Sequence, residues 1–69
     1  MIKYDRLWAT LKKKNISQYK LGRDYGVDNA QLHRLRHNMV IKTVTIDNLC
    51  RILDCKVEDI MEYVPDETE

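Results

Sequence analysis

Phenylalanine is absent from this 69-residue chain, tryptophan occurs once, and there are only two glycines, two cysteines and one proline. Each scarcity removes a possibility. Without Phe, the core has to be mostly aliphatic. Two isolated glycines cannot make a glycine-rich phosphate loop, and no nucleophile stands beside a base in a recognisable motif. So small a chain also leaves little room for a pocket, and enzymatic activity is not expected. Cys50 and Cys55 lie five apart, which fits neither a CxxC pair nor a four-ligand zinc pattern. Cys50 is expected as a small core residue, Cys55 as the more exposed thiol, and a reducing cytoplasm as the location. No apolar run approaches the length of a membrane span or a signal sequence, so no membrane partner is expected. Neither a cofactor nor a small-molecule ligand is called for. The length suits one domain, residues 1–69, near the lower limit for folding without disulfide or metal. Its ordered core should run from about residue 4 to 64, with a frayed acidic tail at 66–69.

What is abundant is charge, and it is unevenly placed. Residues 1–42 carry ten Lys and Arg against three Asp and Glu, whereas residues 43–69 carry two against eight. A net charge of +1 therefore hides a basic half and an acidic half. Such asymmetry suits either two solvated ends or a basic face for a polyanion.

The stretch Gln18 to Leu35 decides between them. Leu21 and Tyr25 before a turn, and Leu32 and Leu35 after it, keep the four- and three-residue spacings of a helical face, and Val27 adds to the apolar side. Gly26 can reverse the chain in a left-handed conformation. Asp28 is an N-cap, with Gln31 three residues on making a capping-box-like pair. Gly22 removes a side chain where two helices would cross closely, at a propensity cost of about 1 kcal/mol against Ala. The pattern predicts a helix-turn-helix. Its second helix, from Asp28 or Asn29 to about His37, points Asn29, Ala30, His33, Arg34 and His37 outward, groups that can meet base edges.

Around this stretch, Tyr4, Leu7, Trp8 and Leu11 predict an amphipathic helix ending at Asn15. Ser17 is the expected cap of the next helix. Gln18 would then lie in a first turn that favours an anion such as a phosphate. Residues 39–44, MVIKTV, are apolar and β-branched: a packed loop, an edge strand beside Ile2–Tyr4, or a sticky surface. Thr45 looks like a further N-cap, before a helix buried through Ile46, Leu49, Ile52 and Leu53. Val57, Ile60 and Met61 predict a short fifth helix, and Tyr63-Val64-Pro65 closes the fold.

In order and spacing, Ile16-Ser17-Gln18-Tyr19-Lys20-Leu21, Gly26-Val27, Leu32-x-Arg34-Leu35, Ile46-Asp47-x-Leu49-Cys50-x-Ile52-Leu53 and Asp59 to Glu67 resemble the Xre/Cro-type helix-turn-helix regulators. The likeness is greatest to their very short single-domain members. It implies an all-α, compact five-helix, lambda-repressor-like domain that binds double-stranded DNA, usually as a homodimer on a palindrome. Matched to the family's positions, Asn29, Ala30, His33 and Arg34 fall at base contacts. Ser17, Gln18, His37, Asn38 and Lys42 fall near the phosphate backbone. Gly22 stands where Ala is usual, Asn38 where Gly is usual, and Lys56 where a capping Ser or Thr is common. A protein-interaction module, antitoxin-like or anti-repressor in type, is the alternative use of such a scaffold.

Arg34 could read guanine through a bidentate bond or pair with a nearby carboxylate. Asn29 could read adenine or hold a phosphate, and Ala30 could touch a thymine methyl or be small because the backbone lies close. His33 and His37, spaced i, i+4, could share a metal, but no Cys, Asp or Glu is placed to complete a site, so no metal is expected. Tyr63 and Val64 could be core or dimer surface. Histidine is the side chain whose charge changes across about pH 5 to 8. Binding of a duplex is therefore expected to be modestly tighter at about pH 6 than at about pH 8. Anisotropy titrations at the two pH values check this, and equal affinities would overturn it.

Overall fold

The computed structural model describes residues 1–65, so the expected fraying of 66–69 lies outside the described residues. The order is strand β1 (Ile2–Lys3), helices α1 (Asp5–Lys13), α2 (Gln18–Tyr25), α3 (Asn29–Arg36) and α4 (Thr43–Leu53), a 3-10 turn at Val57–Asp59, and strand β2 (Glu62–Tyr63). Tyr4, Leu7 and Leu11 of the first segment meet Leu21, Val27, Leu32 and Leu35 in one buried cluster, closed by Ile46, Leu49, Leu53 and Ile60. Trp8, Cys50 and Cys55 are partly buried against it. Tyr25, expected on the apolar side, is exposed.

Most helix ends are set locally. Three left-handed residues, Asn15 (φ 59°), Asn38 (φ 54°) and Asp54 (φ 50°), follow α1, α3 and α4. After Asn15 and after Asn38 the chain closes the same paired bonds. Ile16 N donates to the Leu11 carbonyl (2.9 Å) and Asn15 N to that of Lys12 (3.2 Å). Met39 N donates to the Arg34 carbonyl (2.8 Å) and Asn38 N to that of Leu35 (3.4 Å). This is the Schellman arrangement, which satisfies carbonyls a helix end leaves open. Gly26 (φ 78°) ends α2, and Ser17 and Asp28 accept from Lys20 N (3.0 Å) and Gln31 N (2.9 Å) as caps.

Two further expectations are corrected, and one left open is decided. The fifth helix is a single 3-10 turn, giving four α-helices among the described residues instead of five. Its carbonyls are claimed from outside: Thr10 Oγ1 donates to the Asp59 carbonyl (2.7 Å) and Arg6 Nη1 to that of Glu58 (3.2 Å). Pro65 follows within six residues, leaving little length for a longer helix. Lys56 begins the turn, its N–H donating to Asp59 Oδ2 (3.0 Å), so a carboxylate supplies the cap from within. Secondly, α4 starts at Thr43, after Lys42, whose carbonyl accepts from Thr45 N (3.0 Å). Thr45 is itself buried, so packing of the Thr45–Ile46 side places it inside the helix. Of the readings open for residues 39–44, the edge strand beside Ile2–Tyr4 is excluded: residues 39–42 form a connecting loop, and β1 pairs antiparallel with β2, Ile2 opposite Tyr63 and Lys3 opposite Glu62.

The start of α1 is tied to the end of α3. Tyr4 N donates to Asn38 Oδ1 (2.9 Å) and the Tyr4 hydroxyl to the Met39 carbonyl (2.9 Å). Asn38 thus does two things that the usual Gly would not do together: it adopts the left-handed turn, and it satisfies a partly buried N–H.

Two stability predictions follow from this tie. Asn38→Gly keeps the turn but orphans the Tyr4 N–H, and is expected to lower unfolding free energy by about 1 kcal/mol. Asn38→Ala, which also strains the turn, should lose about 2–3 kcal/mol. Urea denaturation decides, and a Gly variant as stable as the wild type would show that the Tyr4 bond contributes nothing. Burial also raises the Tyr4 phenol above its ordinary range. The stability this neutral hydroxyl contributes is fully present below about pH 10 and is lost as pH rises through the raised folded value. Alkaline denaturation should accordingly be weaker in pH dependence for Tyr4→Phe than for the wild type.

Candidate nucleic-acid interface

Helix α3 buries Leu32 and Leu35 and turns Asn29, Ala30, His33, Arg34, Arg36 and His37 to solvent. Helical geometry places Ala30, His33 and His37 along the crest opposite the buried pair. The two imidazoles lie against each other, ring centroids 4.4 Å apart and planes inclined by 46°. Among the described residues no group of three or more His, Cys, Asp or Glu could hold a metal ion.

A cleft runs along each flank of the crest. On one side Arg34 shares a cleft with Gln31, Val40 and Lys42, the residue preceding α4. On the other side a cleft between α2 and α3 is bordered by Gln18, Asn29 and Arg36. Its floor depends on Gly22: a Cβ there would lie 3.2 Å from the Val27 carbonyl oxygen and 3.8 Å from Leu32 Cδ1. The missing side chain therefore sets how closely α2 approaches the turn that launches α3.

Of the sequence-derived residues, the crest and Arg34 with Lys42 come together on one surface. Asn38 is different. Its side-chain oxygen faces inward to Tyr4 N, a structural task that leaves its amide nitrogen as the donor for any outside contact. Ser17 is similarly engaged by its cap bond to Lys20 N, and Gln18 accepts from Arg36 Nη1 at 2.6 Å. Arg36 was not singled out from the sequence. The available signal was its spacing, seven residues after Asn29 and three after His33, which keeps it on the same solvent side.

Ion pairing distinguishes the arginines of this surface from the other three arginines. Arg6 pairs with Glu62 (3.1 Å), Arg23 with Asp24 (2.8 Å) and Arg51 with Asp47 (2.9 Å). Arg23 also lies over the Tyr19 ring, 5.2 Å from its centroid, and holds the Asp24 carboxyl below its ordinary range by hydrogen bonding. Among the described residues, neither Arg34 nor Arg36 makes an ion pair. The two flanks of α3 thus each offer a guanidinium group uncommitted to any carboxylate among the described residues.

Residues 6–66 match the family model of the Cro/C1-type HTH DNA-binding domain. The chain belongs to this family. It is also similar to a solved structure, that of the transcriptional regulator VanUg, with a TM-score of 0.85 and 25% sequence identity. That likeness covers 94% of this chain and 87% of that one. No curated protein matches the chain. Within the Cro/C1-type fold, α2 and α3 form the helix-turn-helix. Among the described residues, no helix is long and apolar enough to cross a membrane.

Proposed function

We propose that this Cro/C1-type protein is a small transcriptional repressor that binds double-stranded DNA sequence-specifically, with α3 lying in the major groove. The observation that carries the proposal is the exposed α3 surface, polar along its crest and bearing arginines without carboxylate partners. Arg34 is assigned to a base edge, where a guanidinium reads guanine O6 and N7 together. Asn29, Ala30 and His33 are the further base-facing residues. His37, the Asn38 amide nitrogen, Ser17, Gln18 and Lys42 lie where the walls of the groove would bring phosphates. The N-terminal N–H groups of α2 and α3 add favourable partial charge there.

The working unit in this proposal is a homodimer in the cytoplasm, on half-sites about one helical turn, roughly 34 Å, apart. Exposed apolar side chains favour it: Val40 is 86% exposed, Tyr63 67% and Val44 59%. The acidic second half of the sequence also suits a surface turned away from a polyanion.

Fluorescence anisotropy against random-sequence duplex, at low and moderate salt, followed by sequencing of the bound fraction, tests the whole proposal. An enriched palindrome with salt-dependent affinity is expected. No binding at low salt would overturn it in favour of a protein-interaction module on the same scaffold. On the enriched site, Arg34→Ala is expected to cost about 1–3 kcal/mol and relax preference at one base pair. Lys42→Ala should weaken all sequences alike and reduce the salt slope by about one. Identical behaviour of the two variants would show that their roles are wrongly divided.

A further inference from the structure

The bond between Arg36 and Gln18 joins the end of α3 to the first residue of α2, eighteen residues apart, at 2.6 Å. We infer that these two side chains act as one phosphate-holding unit on the α2 flank of the recognition helix. The inference rests on the DNA-binding function proposed above and adds to it a pair whose members set each other's orientation.

The chemistry of each partner supports joint action. An amide side chain has an accepting oxygen and a donating nitrogen. Arg36 occupies the Gln18 oxygen, so what Gln18 can offer to solvent is its NH2 group. A phosphodiester oxygen is an acceptor, and the exposed end of Gln18 matches it. Arg36 in turn uses one guanidinium nitrogen on Gln18. Its other donors lie in the same plane, the fork that binds phosphate oxygens in pairs. Because the anchoring partner is a neutral amide, the guanidinium is held in place while keeping its whole charge. A carboxylate at the same position would hold it as well and cancel that charge. The structure has the arrangement that orients a cation without neutralising it. Arg6, Arg23 and Arg51 have the opposite arrangement, each paired to an acid.

Phosphate contacts are largely independent of base sequence, so a random-sequence duplex is a sufficient probe. Arg36→Met is expected to weaken binding to it about tenfold and to lower the slope of log affinity against log salt by about one. Gln18→Ala should weaken binding about threefold, and the double variant should lose less than the product of the two effects. The decisive variant is Gln18→Glu. It preserves the link between α2 and α3 and places an acid in a helix first turn, so its melting temperature should not fall. Its duplex affinity should nevertheless drop about as far as that of Arg36→Met, with the same loss of salt slope. Gln18→Glu binding like the wild type overturns the inference. Multiplicative losses in the double variant would overturn it too. Wild-type protein that binds no duplex at low salt would instead overturn the DNA-binding function itself, a different result in the same experiment.

Discussion

One residue, Asn38, connects the local and the global structure of this protein. Its left-handed backbone lets α3 end with its last carbonyls satisfied, and its side chain then caps the N–H of Tyr4 at the other end of the chain. The Tyr4 hydroxyl reaches the next carbonyl along, that of Met39. Helix α1 is thereby hung from the terminus of α3 by two directional bonds around a buried aromatic ring. Apolar contact alone would hold α1 near α3 without fixing where it starts. Buried polar groups left unpaired are costly, so these bonds specify one arrangement as well as stabilise it.

That kind of specification matters in a chain this short. A domain of about this size buries a modest fraction of its surface, and its aliphatic core resists unfolding by only a few kcal/mol. Here the helix ends agree with the fold at nearly every junction: serine and aspartate before α2 and α3, glycine after α2, asparagine or aspartate in the left-handed position after the others. The C-terminal segment is held by α1 through Arg6 and Thr10, and by the two-residue ladder of β1 with β2. Ile60, fully buried, fastens the same segment to the core. Local and distant choices point the same way, which is the property that lets a small core specify a single state.

The helix-turn-helix was legible because its determinants are close in sequence. A cap, a left-handed glycine and a three- or four-residue apolar spacing each act within one or two turns of themselves. Ser17, Gly26, Asp28 and Asn38 could be assigned on that basis, and so could the solvent side of α3. What was not legible depends on partners far along the chain. The pairing of Ile2 with Tyr63 has no local signature in two-residue strands. Thr45 has the chemistry of a cap and sits inside a helix because its neighbours are buried. The segment after Lys56 has helical spacing for one turn, but side chains of α1 claim its carbonyls. Asn38 was assigned the right backbone conformation and an outward side chain, since nothing near it in sequence reveals Tyr4 as its partner. Arg36 illustrates the same limit at the site: its position on the solvent side follows from spacing, its bond to Gln18 does not.

The distribution of ion pairs gives the surface its direction. Exposed salt bridges contribute little to stability, typically below about 1 kcal/mol each, so their presence around Arg6, Arg23 and Arg51 explains little of why the chain folds. Their effect is electrostatic: each leaves its patch nearly neutral to an approaching polyanion. Among the described residues the two arginines of α3 lack such partners, and Asp28, just before that helix, is engaged as its cap. A net charge of +1 therefore coexists with two uncompensated guanidinium groups on α3, because the arginine ion pairs among the described residues lie on the other elements. The DNA-reading role proposed for α3 is served by this separation. Cations already satisfied within the protein would have to break those pairs before meeting phosphate, whereas uncommitted guanidinium groups meet it without that cost. Gln18 refines the device by fixing one of them with an amide. Orientation and charge are then controlled by different atoms, and the first can be gained without giving up the second.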